Sequence, residues 1–343
     1  MFLVWAGDRS AYLAKTSMLK RRLSRILRSS ESGRSLSLRG VFTRIEIWHT
    51  GSRFESMLLH YALAKQHYPE QYLKLTRLRM PAYVRLILSN DFPRTQVTSR
   101  LSGGSSLYYG PFRTRAAAEQ FDAQLLELFQ LRRCQENLEP SPEHPGCIYG
   151  EMNMCLRPCQ QVVSIDEYRS EATRVAQFLE TDGTLALSTA EAARDRLSEE
   201  LNFEEASRQH KRIERIEAVL ALRDDLVRDI DRLHAIVIVP STAPDAVSLW
   251  FSCRGTWQDP VQFNLTSDVS LDRRLRDLIG GLQPEAAKLS EREEHLALLA
   301  RWAYSSWRDG EILVFEALEK APYRRMVRAI SRVHPAHKLA DPA

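Results

Sequence analysis

The sequence predicts an α+β fold, on three observations. Short apolar or β-branched runs recur at three places along the 343 residues, amphipathic helical segments separate them, and neither an internal repeat nor a low-complexity tract runs through the whole. With 44% hydrophobic and 27% charged residues and a formal net charge of +4, the composition is that of a globular protein and excludes a collagenous or disordered chain. The near-neutral total hides an asymmetry. Residues 1–133 carry 22 Lys+Arg against 9 Asp+Glu, a net +13, whereas residues 134–343 carry 26 against 35, a net −9. The front half therefore suits a polyanionic partner, nucleic acid first, and the back half suits something else.

The elements follow in order. Residues 2–5 and 10–14 read as strands, and a basic helix over 17–27, with Ser17 as its cap, carries Lys20, Arg21, Arg22 and Arg25. Residues 29–40 read as a Ser/Gly-rich loop before a strand at 41–48, and 52–68 as an amphipathic helix stopped by Pro69. These make a first unit, 1–81. The second, 82–133, has β-type runs around AYVRLIL, RTQVTSRL and YYGPF and a helix over 114–131 capped by Thr114. A cysteine loop, 134–160, precedes a helical region, 161–230, in which 164–180 reads as a helix starting at Ser164. The last unit, 231–343, opens with strands at 235–240 and 247–253, continues with helices at 271–282 and 291–307, and ends in a basic tail, RRMVRAISRVHPAHK. No run approaches the roughly 18–20 apolar residues of a membrane span, and residues 1–30 lack a signal-peptide apolar region, so a cytoplasmic protein with no membrane partner is expected.

Cys134, Cys147, Cys155 and Cys159 lie within 26 residues, separated by 12, 7 and 3 residues, while Cys253 stands alone in an apolar run and reads as core. A cytosolic chain does not use such a set as a disulfide framework. Four thiolates on one Pro/Gly-containing loop are what a soft metal or an iron–sulfur centre needs, although only the last pair approaches the close spacing of structural zinc sites.

The run YYGPF at 108–112, LFQLRRC ending at Cys134, PGC at Cys147 and MCLRPC at Cys155 and Cys159 resemble the middle of UvrC, the nuclease subunit of bacterial nucleotide excision repair. The likeness extends through IDEYRSEATRVAQFLETDG and covers roughly residues 1–270, thinning at both ends. It implies a 4Fe-4S cluster on the four cysteines. It implies a GIY-YIG-like nuclease domain over 1–81, the module that cuts the damaged strand on the 3′ side. It also implies a UVR helical hairpin at 188–222 that contacts UvrB, with Leu201, Phe203, Ala206 and Ile213 as partner-binding residues. Residues 231–282 resemble the start of an RNase H-like domain, but no acidic catalytic pattern follows. The nearest form is the short relative Cho.

A GIY-YIG site needs a tyrosine to assist deprotonation of water, an arginine on the scissile phosphate and a glutamate on one divalent ion. The family pattern YVGKAxNLKxR falls on YLAKTSMLKRR at 12–22, which retains Tyr12, Lys15 and Arg22 and replaces the motif glycine by Ala14. Trp5 stands at the first motif tyrosine. The pattern EALLLExxLIKKxxPxYN falls on ESMLLHYALAKQHYPEQY at 55–72, so His60 occupies the glutamate position and Tyr72 the asparagine. Neutral imidazole is a poor ligand for a hard ion such as magnesium, although manganese is softer. The expected function is that of a UvrC/Cho-like repair protein that holds damaged double-stranded DNA, through Lys15, Lys20, Arg21 and Arg25, and a UvrB-type partner, with an impaired nuclease site. The alternatives are an active Cho-type endonuclease with magnesium or manganese, and a decoy that occupies UvrB alone.

Overall fold

The computed structural model describes residues 1–27, 42–284 and 287–334; the loop expected at 29–40 lies outside them. Strands β1 (Phe2–Ala6) and β2 (Arg9–Ala14) form an antiparallel hairpin, and after helix α1 (Leu19–Ile26) strand β3 (Arg44–Ile47) pairs with the free edge of β1. Phe2 and Val4 pack with Tyr12, Leu19, Leu23 and Ile26, so the apolar stripe of the basic helix is spent on one small core. Helix α1 starts two residues later than expected. Its cap position is Met18, whose amide is held by the Thr16 hydroxyl at 3.1 Å, and no side chain caps the helix. Helix α2 (Arg53–His67) follows, capped by Ser52, which accepts from the Glu55 amide, and then a short helix α3 (Tyr72–Thr76).

The middle unit is a four-stranded antiparallel sheet of order β5-β4-β6-β7, built from β4 (Ala82–Ile87), β5 (Arg94–Thr98), β6 (Ser106–Phe112) and, far along the chain, β7 (Arg228–Asp229). Helix α4 (Arg115–Leu128) is capped by Thr114. Gly110 lets β6 pass close to β4: a Cβ there would stand 2.7 Å from the Tyr83 ring with φ at +155°. Beyond the cysteine loop, which carries the short helix α5 (Ile148–Glu151), come α6 (Ile165–Glu180), α7 (Thr184–Glu199) and α8 (Phe203–Leu220). A capping box between Ser164 and Glu167 starts α6. Helices α4, α6 and α8 bury Phe121, Leu125, Tyr168, Val175, Phe178, Ile213 and Ile216 in one core with the β4–β6 face.

The last unit centres on β8 (His234–Pro240) and β9 (Ala246–Cys253), with β10 (Thr256–Trp257) and β11 (Val261–Asn264) on the far side of β9. Helices α9 (Leu271–Gly280) and α10 (Leu289–Ala303) precede β12 (Glu311–Phe315), which pairs antiparallel with β8 as an edge strand, and α11 (Tyr323–Val333). One sheet face packs against α9 and α11, the other against α10 and α2. Two expectations change here. The helix expected to reach residue 307 stops at Ala303, and residues 324–333 of the presumed basic tail fall within α11, whose Met326, Ala329 and Ile330 are buried, while 335–338 lie outside the described residues. Cys253 is buried in the core, as its apolar surroundings implied.

Helix α2 belongs to two cores at once. Its Phe54 meets the rings of Trp250, Trp257 and Trp302, and Gly51 approaches the last unit so closely that a Cβ would sit 2.5 Å from the Pro240 carbonyl oxygen. Farther along, Glu294 of α10 accepts hydrogen bonds from Tyr61, Tyr72 and Lys65, the last at 2.9 Å. Burial alone would raise the Glu294 carboxyl, but these three donors hold it below its ordinary range, while burial and Glu294 push the Tyr72 phenol up to about 12.

Candidate functional site

Three neighbourhoods gather the residues singled out in the sequence. In the first unit, the Arg22 guanidinium donates to the Tyr12 hydroxyl and lies 5.9 Å from the centre of its ring, so the structure joins the tyrosine and arginine of the motif. Trp5 lies elsewhere, edge-on to His67 at 5.2 Å and under Arg44 at 4.7 Å. His60, on α2, is half-buried. Burial, then the charges of Lys15 and Arg301, lower its pKa, so it is a neutral imidazole in a positive field. Beside it a cleft of about 720 Å³ opens between the first and last units, with Lys15, Arg53 and Arg301 among its lining residues. Lys15, Lys20, Arg21 and Arg25 are exposed and make no salt bridge among the described residues.

The thiol loop is held from the middle unit. Arg132 is only 2% exposed, and its guanidinium donates to the carbonyls of Phe92 (3.0 Å) and Glu136 (2.8 Å) and to Cys134 Sγ (3.6 Å), while Nη2 is buried without a partner. Among the described residues no carboxylate hydrogen-bonds this buried cation. The Arg157 amide donates to Cys155 Sγ at 3.4 Å. Burial pushes the Cys155 thiol up to about 11, and the other three cysteines push in the same direction, which places all four within one another's field. They are neighbours, not a preformed coordination shell: among the described residues no three His, Cys, Asp or Glu side chains are grouped closely enough to hold a metal ion. The donor set nonetheless fits a thiolate-bound centre, because the buried Arg132 requires an anion and Cys134 is what it faces.

The third neighbourhood is the α7–α8 hairpin, which begins at Thr184 rather than 188. Its turn residue Leu201 takes a left-handed conformation, and Leu201 and Phe203 stand 72% and 65% exposed. Asn202 caps α8 between them. Ala206 and Ile213, named with them as partner-binding residues, are instead buried, at 8% and 5%, and Ile213 packs into the core of the middle unit. Sequence spacing found the apolar stripe but could not divide it between the inner face and the tip.

Fold and sites together define a modular α+β protein with an unpaired basic surface, a thiol-bearing loop and an apolar-tipped helical hairpin. Residues 83–178 match the family model described as UvrC/Cho excinuclease, middle domain. The chain is similar to UvrABC system protein C of Lachnospira eligens, at 25% identity over 72% of this chain and 41% of the relative. It is also similar to those of Desulfitobacterium hafniense, at 28% over 66% and 37%, and Rickettsia africae, at 27% over 64% and 35%. These likenesses support kinship with the UvrC family. The chain spans about two fifths of the length of the curated relatives it matches. No solved structure matches it. No helix of the described residues is long and apolar enough to cross a membrane.

Proposed function

We propose that the chain is a UvrC/Cho-like nucleotide excision repair protein, which holds damaged double-stranded DNA and a UvrB-type partner together while its GIY-YIG-like site is impaired in cutting. The observation that carries this reading is the field at His60. A divalent ion placed there would meet an imidazole instead of a carboxylate, with the charges of Lys15 and Arg301 nearby, and that charge balance repels a cation and attracts a phosphate. The exposed cations of α1 and Lys15 then act as phosphate contacts, with little preference for sequence. Leu201 and Phe203 suit insertion into an apolar groove of the partner.

Cys134, Cys147, Cys155 and Cys159 would hold a 4Fe-4S cluster, which when bound cross-links the loop through iron–sulfur bonds. Arg132 would neutralise part of the charge of those thiolates, and the Arg157 amide would donate to one of the sulfurs. The residual pair of Tyr12 and Arg22 favours a second reading, an active Cho-type endonuclease using magnesium or manganese. A nicking assay on a damaged duplex loaded with UvrB, run with each metal, separates the two. No incision above background is expected, and metal-dependent nicking that His60→Ala abolishes would overturn the proposal. A DNA-independent decoy would show no salt-dependent affinity for DNA at all.

A further inference from the structure

A cleft of about 400 Å³ lies where the middle unit meets the last one, on the side of the molecule served by the 220–228 segment, β12 and α11. Five arginines line it, Arg113, Arg223, Arg228, Arg308 and Arg325, against two aspartates, Asp224 and Asp225, which leaves an excess of three positive charges. Arg113 faces Asp224 at 3.7 Å and Arg223 faces Asp182 at 3.0 Å. Arg228, Arg308 and Arg325 form no salt bridge among the described residues. Arg228 donates to the Asp225 carbonyl at 3.1 Å, and its Nε is buried without a partner. Arg308 lies 6.0 Å from the centre of the Trp302 ring, a cation–π contact that uses none of its N–H donors, and it donates no hydrogen bond among the described residues.

Three like charges gathered around one cleft repel one another, and an anion in the cleft would relieve that repulsion. Guanidinium donors form a planar fork that matches a phosphate better than a point charge does. The walls supplied by Ile312 and Val314 of β12 are apolar, so the cleft offers a phosphate-binding rim around a surface on which a sugar or base could rest.

We propose that this cleft binds phosphate esters through Arg228, Arg308 and Arg325, independently of the basic helix α1. The ester is either a phosphodiester of a nucleic-acid strand running between the two units or a free nucleotide. Full-length protein and the variant R308Q/R325Q, whose substituted side chains are both exposed, should be titrated with pyrophosphate, ATP and labelled single-stranded DNA over a range of salt. Arg228→Lys, which keeps the charge and loses the fork, serves as a second variant. A strand in the cleft predicts a roughly tenfold or greater loss of DNA affinity in the double variant, with the salt slope reduced by about 1 to 1.5. A free nucleotide predicts saturable ATP and pyrophosphate binding to the native chain, lost in the double variant, with DNA affinity unchanged. If native and both variant proteins bind all three probes alike, with equal salt slopes, the proposal is wrong. A parallel charge reversal, R21E/R25E, tests the α1 reading separately, so either claim can fail alone.

Discussion

Two buried carboxylates, Glu294 and Asp229, stand in environments that push them in opposite directions. Glu294 accepts from two phenols and an ammonium contributed by α2 and by Tyr72 at the start of α3. Glu294→Ala should leave both hydroxyls without their acceptor and Lys65 with only the Tyr61 hydroxyl and Glu291, and lower stability by roughly 2 to 4 kcal/mol, read as a fall in denaturant midpoint at unchanged m-value. Asp229, where β7 ends, is buried, and that burial raises its carboxyl from 3.8 to about 6 despite a hydrogen bond from the Asp231 amide. The folded chain therefore holds this proton more tightly than the unfolded chain does. Its penalty on stability is absent below about pH 4, grows through the interval up to about 6 and is complete above it. Asp229→Asn keeps the acceptor for Asp231, so it should stabilise the protein by about 2 kcal/mol at pH 7.5 and remove that part of the pH dependence. Equal unfolding free energies for both proteins at pH 7.5 would contradict this.

At the scale of elements, the α7–α8 hairpin separates holding from the proposed docking. Its inner face buries Ala206, Ile213, Ile216 and Val219, while its tip presents Leu201 and Phe203 to solvent. L201S/F203S should thus change the unfolding free energy by no more than about 0.5 kcal/mol. It should weaken a UvrB-type partner about tenfold or more, because exposed apolar anchors carry a large share of such interfaces. Calorimetry on the pair measures the second effect and chemical denaturation the first. Ile213→Ala should do the reverse, costing about 2 to 4 kcal/mol of stability through the cavity it leaves in the middle core. The helix caps at Ser52, Thr114, Ser164 and Asn202 each accept from the backbone amide three residues on, and three of these helix starts, at Ser52, Thr114 and Ser164, were legible from residue type and spacing alone.

The whole molecule is less divisible than its sequence suggests. The charge asymmetry predicts a basic half and an acidic half, yet α2 of the basic half completes the apolar face of the last sheet, where Phe54 meets three tryptophans. Between the two, the thiol loop is anchored by a buried arginine from the end of the middle unit. If the loop binds a 4Fe-4S cluster, protein prepared anaerobically should contain about four iron atoms per chain and absorb broadly in the visible range. Cys155→Ser should lose both and expose the loop to proteolysis. Stoichiometric zinc without iron in the native chain would refute the cluster.

Local chemistry made much of this protein readable. Capping residues, Pro69, the period of α4 and α6, the β-branched run of β8 and the four clustered cysteines are determined over a few residues, where steric and hydrogen-bonding preferences act directly. Tyr12, Lys15, Arg22 and His60 were singled out differently, by resemblance to the UvrC pattern. Only the tertiary structure decided what stands opposite. Arg301 reaches the field of His60 from 241 positions along the chain, and Glu294 meets Tyr61 across 233. Residues 324–333, basic as a string, fall within α11, because the sheet face left open by β8 and β9 supplies apolar partners for Met326, Ala329 and Ile330. The arginine cleft arises likewise from segments around residues 113, 223–228, 308 and 325 that meet only when β12 joins β8. Burial and electrostatic fields depend on such distant neighbours, and no window along the sequence contains them.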